Sequence, residues 1–118
     1  MRFGRLQPSN ARYYNQEVSL TELLNRYHSA VATLSNVSDT NASTTLLASN
    51  LDRKGFSIYN DSTAILYVAM DGSTASLTNF SFEIKPEGFY ETWGGYTGLI
   101  TGIWASDASG AGRITEYS

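Results

Sequence analysis

The chain has 118 residues, no cysteine and a formal charge of −3. That length predicts one domain with a modest core, and the lack of Cys excludes disulfides, thiolate chemistry and any zinc site built on Cys. Charged residues are only 16% of the chain, below the usual share of about a quarter, with Ser, Thr, Asn and Gly in their place. The longest apolar run, Ile65 to Met70, is too short to span a membrane, so no membrane partner is expected. The opening Met1-Arg2-Phe3-Gly4-Arg5 has no apolar h-region of a signal peptide, which predicts synthesis in a cytoplasm. Charge is uneven. Residues 1–16 carry Arg2, Arg5 and Arg12 and no acid, a charge of +3. The eight basic residues less these three leave five against eleven acids in residues 17–118, a charge of −6. An acidic body argues against nucleic acid as a partner, whereas a basic arm suits an acidic protein surface.

Residues 1–16 show no period, and Pro8, Ser9 and Asn10 break any helix. The segment nevertheless holds Phe3, Leu6, Tyr13 and Tyr14, more aromatic content than a disordered tail usually has. It reads as an extended arm that packs on its own body or on a neighbour. Residues 18–28 carry the one good helix signal. Ser19 and Glu22 form a capping box, with Val18 and Leu23 at the staple positions. Leu20, Leu23, Leu24 and Tyr27 recur at i, i+3, i+4 and i+7, one helical face. Such a short helix is marginal alone and must dock on the body or on another subunit.

Beyond Val31 the period becomes 2. Strands are expected over Ala30–Leu34, Thr44–Ala48, Gly55–Tyr59, Ile65–Met70, Phe80–Ile84, Phe89–Trp93, Leu99–Trp104 and Gly112–Tyr117. Turn residues separate most of them, among them Asn60-Asp61, Asp71-Gly72, Pro86-Glu87-Gly88, Gly94-Gly95 and Ser109-Gly110. The polar stretch Ser35–Thr45 reads as an exposed hairpin loop. The fold class is therefore all-β: an antiparallel β-sandwich or small barrel of about seven or eight strands over residues 30–118, preceded by the arm and short helix of residues 1–29.

Little in the chain carries chemistry. His28 is the sole histidine and suits a helix C-terminus or an exposed position. The carboxylates are scattered singly, mostly at turns: Asp39, Asp52, Asp61, Asp71, Glu87 and Asp107. Asn60-Asp61-Ser62 is a weak calcium-loop candidate that a turn explains more simply. No phosphate-binding loop, dinucleotide fingerprint or zinc-protease motif occurs. The chain is expected not to be an enzyme, with no catalytic residue, no metal and no cofactor. Of the aromatics, Trp104 is expected in the core, and Trp93 and Tyr96 are the candidates for an exposed platform on which a sugar ring could stack.

The succession Arg53-Lys54-Gly55-Phe56-Ser57-Ile58-Tyr59-Asn60-Asp61-Ser62, Leu66-Tyr67-Val68, Gly88-Phe89-Tyr90-Glu91, Tyr96-Thr97-Gly98, Gly102-Ile103-Trp104-Ala105 and Arg113-Ile114-Thr115-Glu116-Tyr117 resembles small β-sandwich domains of tailed-bacteriophage virion proteins over residues 31–118. The resemblance implies a capsid cement (decoration) protein on the capsid surface of the virion. Its implied partners are the major capsid protein and further copies of itself, as a homo-oligomer with a trimer expected by analogy. Arm residues Arg2, Phe3, Arg5, Leu6, Arg12, Tyr13 and Tyr14 would reach the capsid or a neighbouring subunit. Leu20, Leu23, Leu24 and Tyr27 would pack at the oligomer centre or on the sandwich. The alternative is a tail or baseplate module that binds host-surface glycans or other virion proteins.

Overall fold

The computed structural model describes residues 28–29, 31–107 and 109–118, so the expected arm and all of the expected helix except His28 lie outside the described residues. Among the described residues the fold is all-β. The strands are β1 (Ala32–Ser38), β2 (Thr44–Leu47), β3 (Gly55–Asp61), β4 (Leu66–Ala69), β5 (Phe82–Ile84), β6 (Phe89–Trp93), β7 (Ile100–Trp104) and β8 (Ala111–Tyr117). They form two antiparallel four-stranded sheets. Sheet I has the order β1-β8-β3-β6 and sheet II the order β2-β7-β4-β5. Every connection except β4–β5 crosses from one sheet to the other, which is the strand order of an eight-stranded jelly roll. The sandwich, not the barrel, is the form adopted.

Period 2 sets what lies inside. In β3, Phe56, Ile58 and Asn60 face the core while Ser57 and Tyr59 face outward. Leu66 and Val68 of β4, Ile100 and Trp104 of β7, and Ile114 of β8 meet them from the other strands. Each such side chain contributes about 1.5–3 kcal/mol on full burial. Tyr90 of β6 stacks on Phe82 of β5, with ring centroids 4.1 Å apart, and closes one side of the sandwich.

Two polar clusters close the ends. At one end the Asn60 amide donates to the carbonyls of Ala64 and Ile84, both at 2.8 Å. Its Oδ1 accepts from Trp104 Nε1 at 3.1 Å and from the Ser62 hydroxyl at 2.8 Å. All four bonding positions of this buried amide are filled. Asn60 and Asp61, expected at a turn, instead end β3 in register with β8, and Ser62 begins the packed corner that leads to β4. At the other end lies the buried Arg53. Its Nε donates to Glu116 Oε2 at 2.7 Å, Nη1 to the Gly98 carbonyl at 2.9 Å and Nη2 to the Ala48 carbonyl at 2.5 Å. One guanidinium thereby joins the segments after β2, before β7 and within β8.

Two further local expectations change. Ser35–Ser38 belongs to β1, because β8 pairs with it without a break from Ala32↔Tyr117 to Ser38↔Ala111. The residues after it lead from sheet I to sheet II and make no hairpin. β5 begins at Phe82, while the Phe80 ring packs on Tyr67 with centroids 4.7 Å apart. Gly110 has φ +144, and a Cβ there would come within 2.2 Å of the Asp61 carbonyl oxygen, so the approach of β8 to the β3–β4 corner requires glycine.

Candidate docking face

The outer faces of the two sheets differ. Sheet II is partly covered by its own β4–β5 loop. The Thr101 hydroxyl on that face donates to the Ser73 carbonyl at 2.8 Å and accepts from the Ala75 N–H at 3.0 Å, and Ala75 is buried beneath the loop. The outer face of sheet I carries no such cover among the described residues.

The register of sheet I assembles that face row by row. Ala32, Tyr117, Gly55 and Trp93 lie in line at one end, then Leu34, Thr115, Ser57 and Glu91, then Asn36, Arg113, Tyr59 and Phe89. Leu34 is 78% exposed, Phe89 62% and Trp93 44%. Gly55 decides how Trp93 lies. A Cβ at Gly55 would come within 2.9 Å of the indole, so the glycine lets the ring lie across the strand and stack on Tyr117, with centroids 4.5 Å apart and planes 19° from parallel. Between the apolar patches, the Arg113 guanidinium donates to Asp61 Oδ2 and to Asn36 Oδ1, each at 3.0 Å, tying β1, β8 and β3 across the face. The Arg113–Asp61 pair is half exposed and adds about 0–1 kcal/mol to stability. Its larger effect is to set polar groups among apolar ones.

The chain arrives at this face from its N-terminal side. Val31 exchanges backbone hydrogen bonds with Ser118, at 3.1 and 2.9 Å. The His28 carbonyl accepts from Lys54 Nζ at 2.5 Å, and the Lys54 carbonyl in turn accepts from Gly94 N–H, next to Trp93. His28 is thereby held beside the aromatic corner.

Of the residues expected to carry function, Trp93 stands on the exposed face. Tyr96 is half buried against the core, and its hydroxyl donates to the Leu99 carbonyl at 3.0 Å. Arg2, Phe3, Arg5, Leu6, Arg12, Tyr13, Tyr14, Leu20, Leu23, Leu24 and Tyr27 lie outside the described residues. Tyr59 and Phe89 belong to the aromatic cluster that the sequence offers as a sugar platform, whereas the sequence marks none of Leu34, Arg113 and Tyr117 as a site residue. For Phe89 the signal was present, since Phe89, Glu91 and Trp93 alternate on one side of a strand with a carboxylate between them. For Leu34 and Tyr117 no local signal exists, because β1 and β8 come together from opposite ends of the sandwich sequence.

Among the described residues no group of three or more His, Cys, Asp or Glu side chains gathers as a metal site would. Several carboxylates have assigned partners. Glu116 pairs with Arg53, Glu83 with Lys85, and Asp61 with Arg113. Asp71 accepts from the Ser73 hydroxyl and N–H, which hold its carboxyl below the usual Asp value. The chain matches no known family model, no curated protein and no solved structure.

Proposed function

We propose that this chain is a capsid cement protein that docks on the outside of a major capsid protein shell through the outer face of sheet I. One observation carries the reading. A sandwich whose interior is filled leaves Leu34, Phe89 and Trp93 exposed together on one sheet, while its other sheet is partly covered by its own loop. Exposed apolar side chains grouped on one face, with polar groups between them, mark protein interaction surfaces. The basic residues 1–16 would add a second contact, with the arginines suited to an acidic capsid surface. Many modest contacts repeated over a shell hold by avidity, so no single one need be strong.

Co-sedimentation of the purified chain with bare shells tests the reading. Phe89→Glu puts a charge among the apolar side chains at the β6 edge of the docking surface without touching the core and should lower retention at least about tenfold, the equivalent of about 1.4 kcal/mol. Full retention by Phe89→Glu would remove the face from the interface.

A second reading has one observation in its favour. Trp93 lies flat and half exposed against Tyr117, with Ser57 and Glu91 in the next row, a surface on which a sugar ring can stack. It predicts glycan-array binding that Trp93→Ala abolishes and Phe89→Glu leaves in place.

A further inference from the structure

A jelly roll has four edge strands, here β1 and β6 in sheet I and β2 and β5 in sheet II. An open edge pairs with other chains unless it is short, charged, bulged or covered. Three of the four carry such a device. β5 has three residues, with Glu83 at its centre and Lys85 just past its end. β2 has four residues and a register break between Thr45 and Leu47. β6 has Glu91 at its middle. β1 carries none. It is seven residues, Ala-Thr-Leu-Ser-Asn-Val-Ser, without charge, proline or bulge, in unbroken register with β8.

The hydrogen-bond phase of β1 fixes what its open edge presents. Val31 exchanges both bonds with Ser118, and the Asp39 N–H reaches the Gly110 carbonyl at 3.2 Å. Bonding along an antiparallel ladder alternates, so the odd-numbered residues between these two bond to β8. Ala32, Leu34, Asn36 and Ser38 therefore direct their N–H and C=O groups to the open edge. Leu34, at 78% exposure, is the most prominent apolar side chain there.

From this arrangement we infer that β1 pairs antiparallel with β1 of a second copy, about a two-fold axis through Leu34. This register sets Leu34 against the second copy's Leu34 on the outer face and exchanges both of their backbone bonds. Ala32 then faces Asn36, Thr33 faces Ser35, and Val31 faces Val37 on the core side. Moving the axis one residue either way sets Leu34 against Ala32 or Asn36 and separates the two valines, so one register matches apolar to apolar on both faces. The product is a continuous eight-stranded sheet in which the two sheet I outer faces become a single platform. An isologous edge closes on itself, giving a dimer, where the resemblance to phage proteins implies a trimer. The pairing goes beyond the cement reading and does not depend on it.

The test uses the full chain, which has no cysteine of its own. Directly opposed residues of a hydrogen-bonded pair have Cα atoms about 5.5 Å apart, within disulfide range. Leu34→Cys should therefore cross-link to a covalent dimer under mild oxidation. Leu51→Cys, at a position 90% exposed but away from the edge, should cross-link at least about tenfold more slowly. In sedimentation equilibrium the chain should be a dimer. Leu34→Lys and Leu34→Glu should each raise the dissociation constant about tenfold or more, and an equimolar mixture of the two should restore the dimer, because opposite charges then face each other. Asn36→Pro removes a backbone donor from the open edge and none from the ladder to β8, while also losing the Asn36 acceptor of Arg113, and should also give monomers. A chain that is monomeric at about 100 μM, well above the constants of weak protein pairs, would overturn the inference. So would a dimer that survives Leu34→Lys and Asn36→Pro, or Leu34→Cys cross-linking no faster than Leu51→Cys. Loss of the dimer with shell binding intact in any of these variants bears on the pairing alone. Loss of shell binding by Phe89→Glu with the dimer intact bears on the cement reading alone.

Discussion

Asn60→Ala is expected to be among the most destabilising single substitutions in the chain. The Asn60 side chain makes four hydrogen bonds at the corner between the sheets, to Ala64, Ile84, Ser62 and Trp104. Two of these partners have a substitute when it is removed, since the Ser62 hydroxyl also donates to the Ala64 carbonyl at 3.1 Å. The Trp104 indole N–H and the Ile84 carbonyl lose the Asn60 partner. Trp104 is wholly buried, and each unpaired buried group costs about 1–3 kcal/mol. Adding the small cavity left by the amide, the expected loss is about 3–5 kcal/mol, a large part of the roughly 5–15 kcal/mol that holds a domain together. Urea unfolding followed by tryptophan fluorescence reads it directly. Trp104→Phe removes the orphaned donor, so the double variant should lose about 1–2 kcal/mol less than the sum of the two single losses. A loss below about 1 kcal/mol for Asn60→Ala, or strict additivity in the cycle, would refute the assignment of this network as the clamp of that end.

Three further outcomes follow from the same geometry. Arg53→Ala should cost about 3–5 kcal/mol, because it leaves the Glu116 carboxylate without its buried partner and the Gly98 and Ala48 carbonyls without a donor; Arg53→Lys should recover less than half of that in the same urea titration, since an ammonium lacks the planar fork that serves all three sides. Glu87 sits at φ 64 in the turn closed by the Gly88 N–H on the Lys85 carbonyl at 2.7 Å, with Pro86 before it; this is a position that favours glycine, and Glu87→Gly should raise stability by up to about 1 kcal/mol, with a fall in the denaturation midpoint as the contrary result. The carboxyl of Asp71 is held below its ordinary value by Ser73, so its contribution is present above the unfolded-state pKa of about 3.9 and is lost as pH falls through the lower folded value; Asp71→Asn should lower stability slightly near neutrality, where that contribution is present, and flatten the stability–pH curve on the acid side, as thermal melts across pH would record.

Much of the fold is written in the local sequence. Alternation bounded by turn residues locates all eight strands, because a half-buried strand needs apolar side chains on one face only, as Phe56 and Ile58 show in β3. Trp104 is central in the core, as its place at the end of an apolar strand implies. β1 is legible only in part. Thr33 and Ser35 are polar on the core side, and what makes Ser35–Ser38 a strand is pairing with β8, far along the chain. The jelly-roll order is not legible either, since Asn60-Asp61 and Pro86-Glu87-Gly88 look alike whether the chain returns within a sheet or crosses to the other. Arg53 gives no sign of burial, because the carbonyls that satisfy it come from segments brought together only by the closed sandwich. The docking face is half legible. The alternation of Phe89, Glu91 and Trp93 is plain, but its direction depends on Gly55 across the strand pair. Tyr96 shows the opposite case. Its glycine-rich surroundings suggest exposure, yet its hydroxyl closes its own loop on Leu99.

Cryo-electron microscopy of the assembled particle that carries this chain, with copies counted and the orientation of the sandwich resolved, tests the central claim most directly. Many copies are expected over the shell, each with Leu34, Phe89 and Trp93 against capsid protein and the β4–β5 loop toward solvent. Copies confined to the tail, or a shell-bound sandwich with the outer face of sheet I open to solvent, would contradict it.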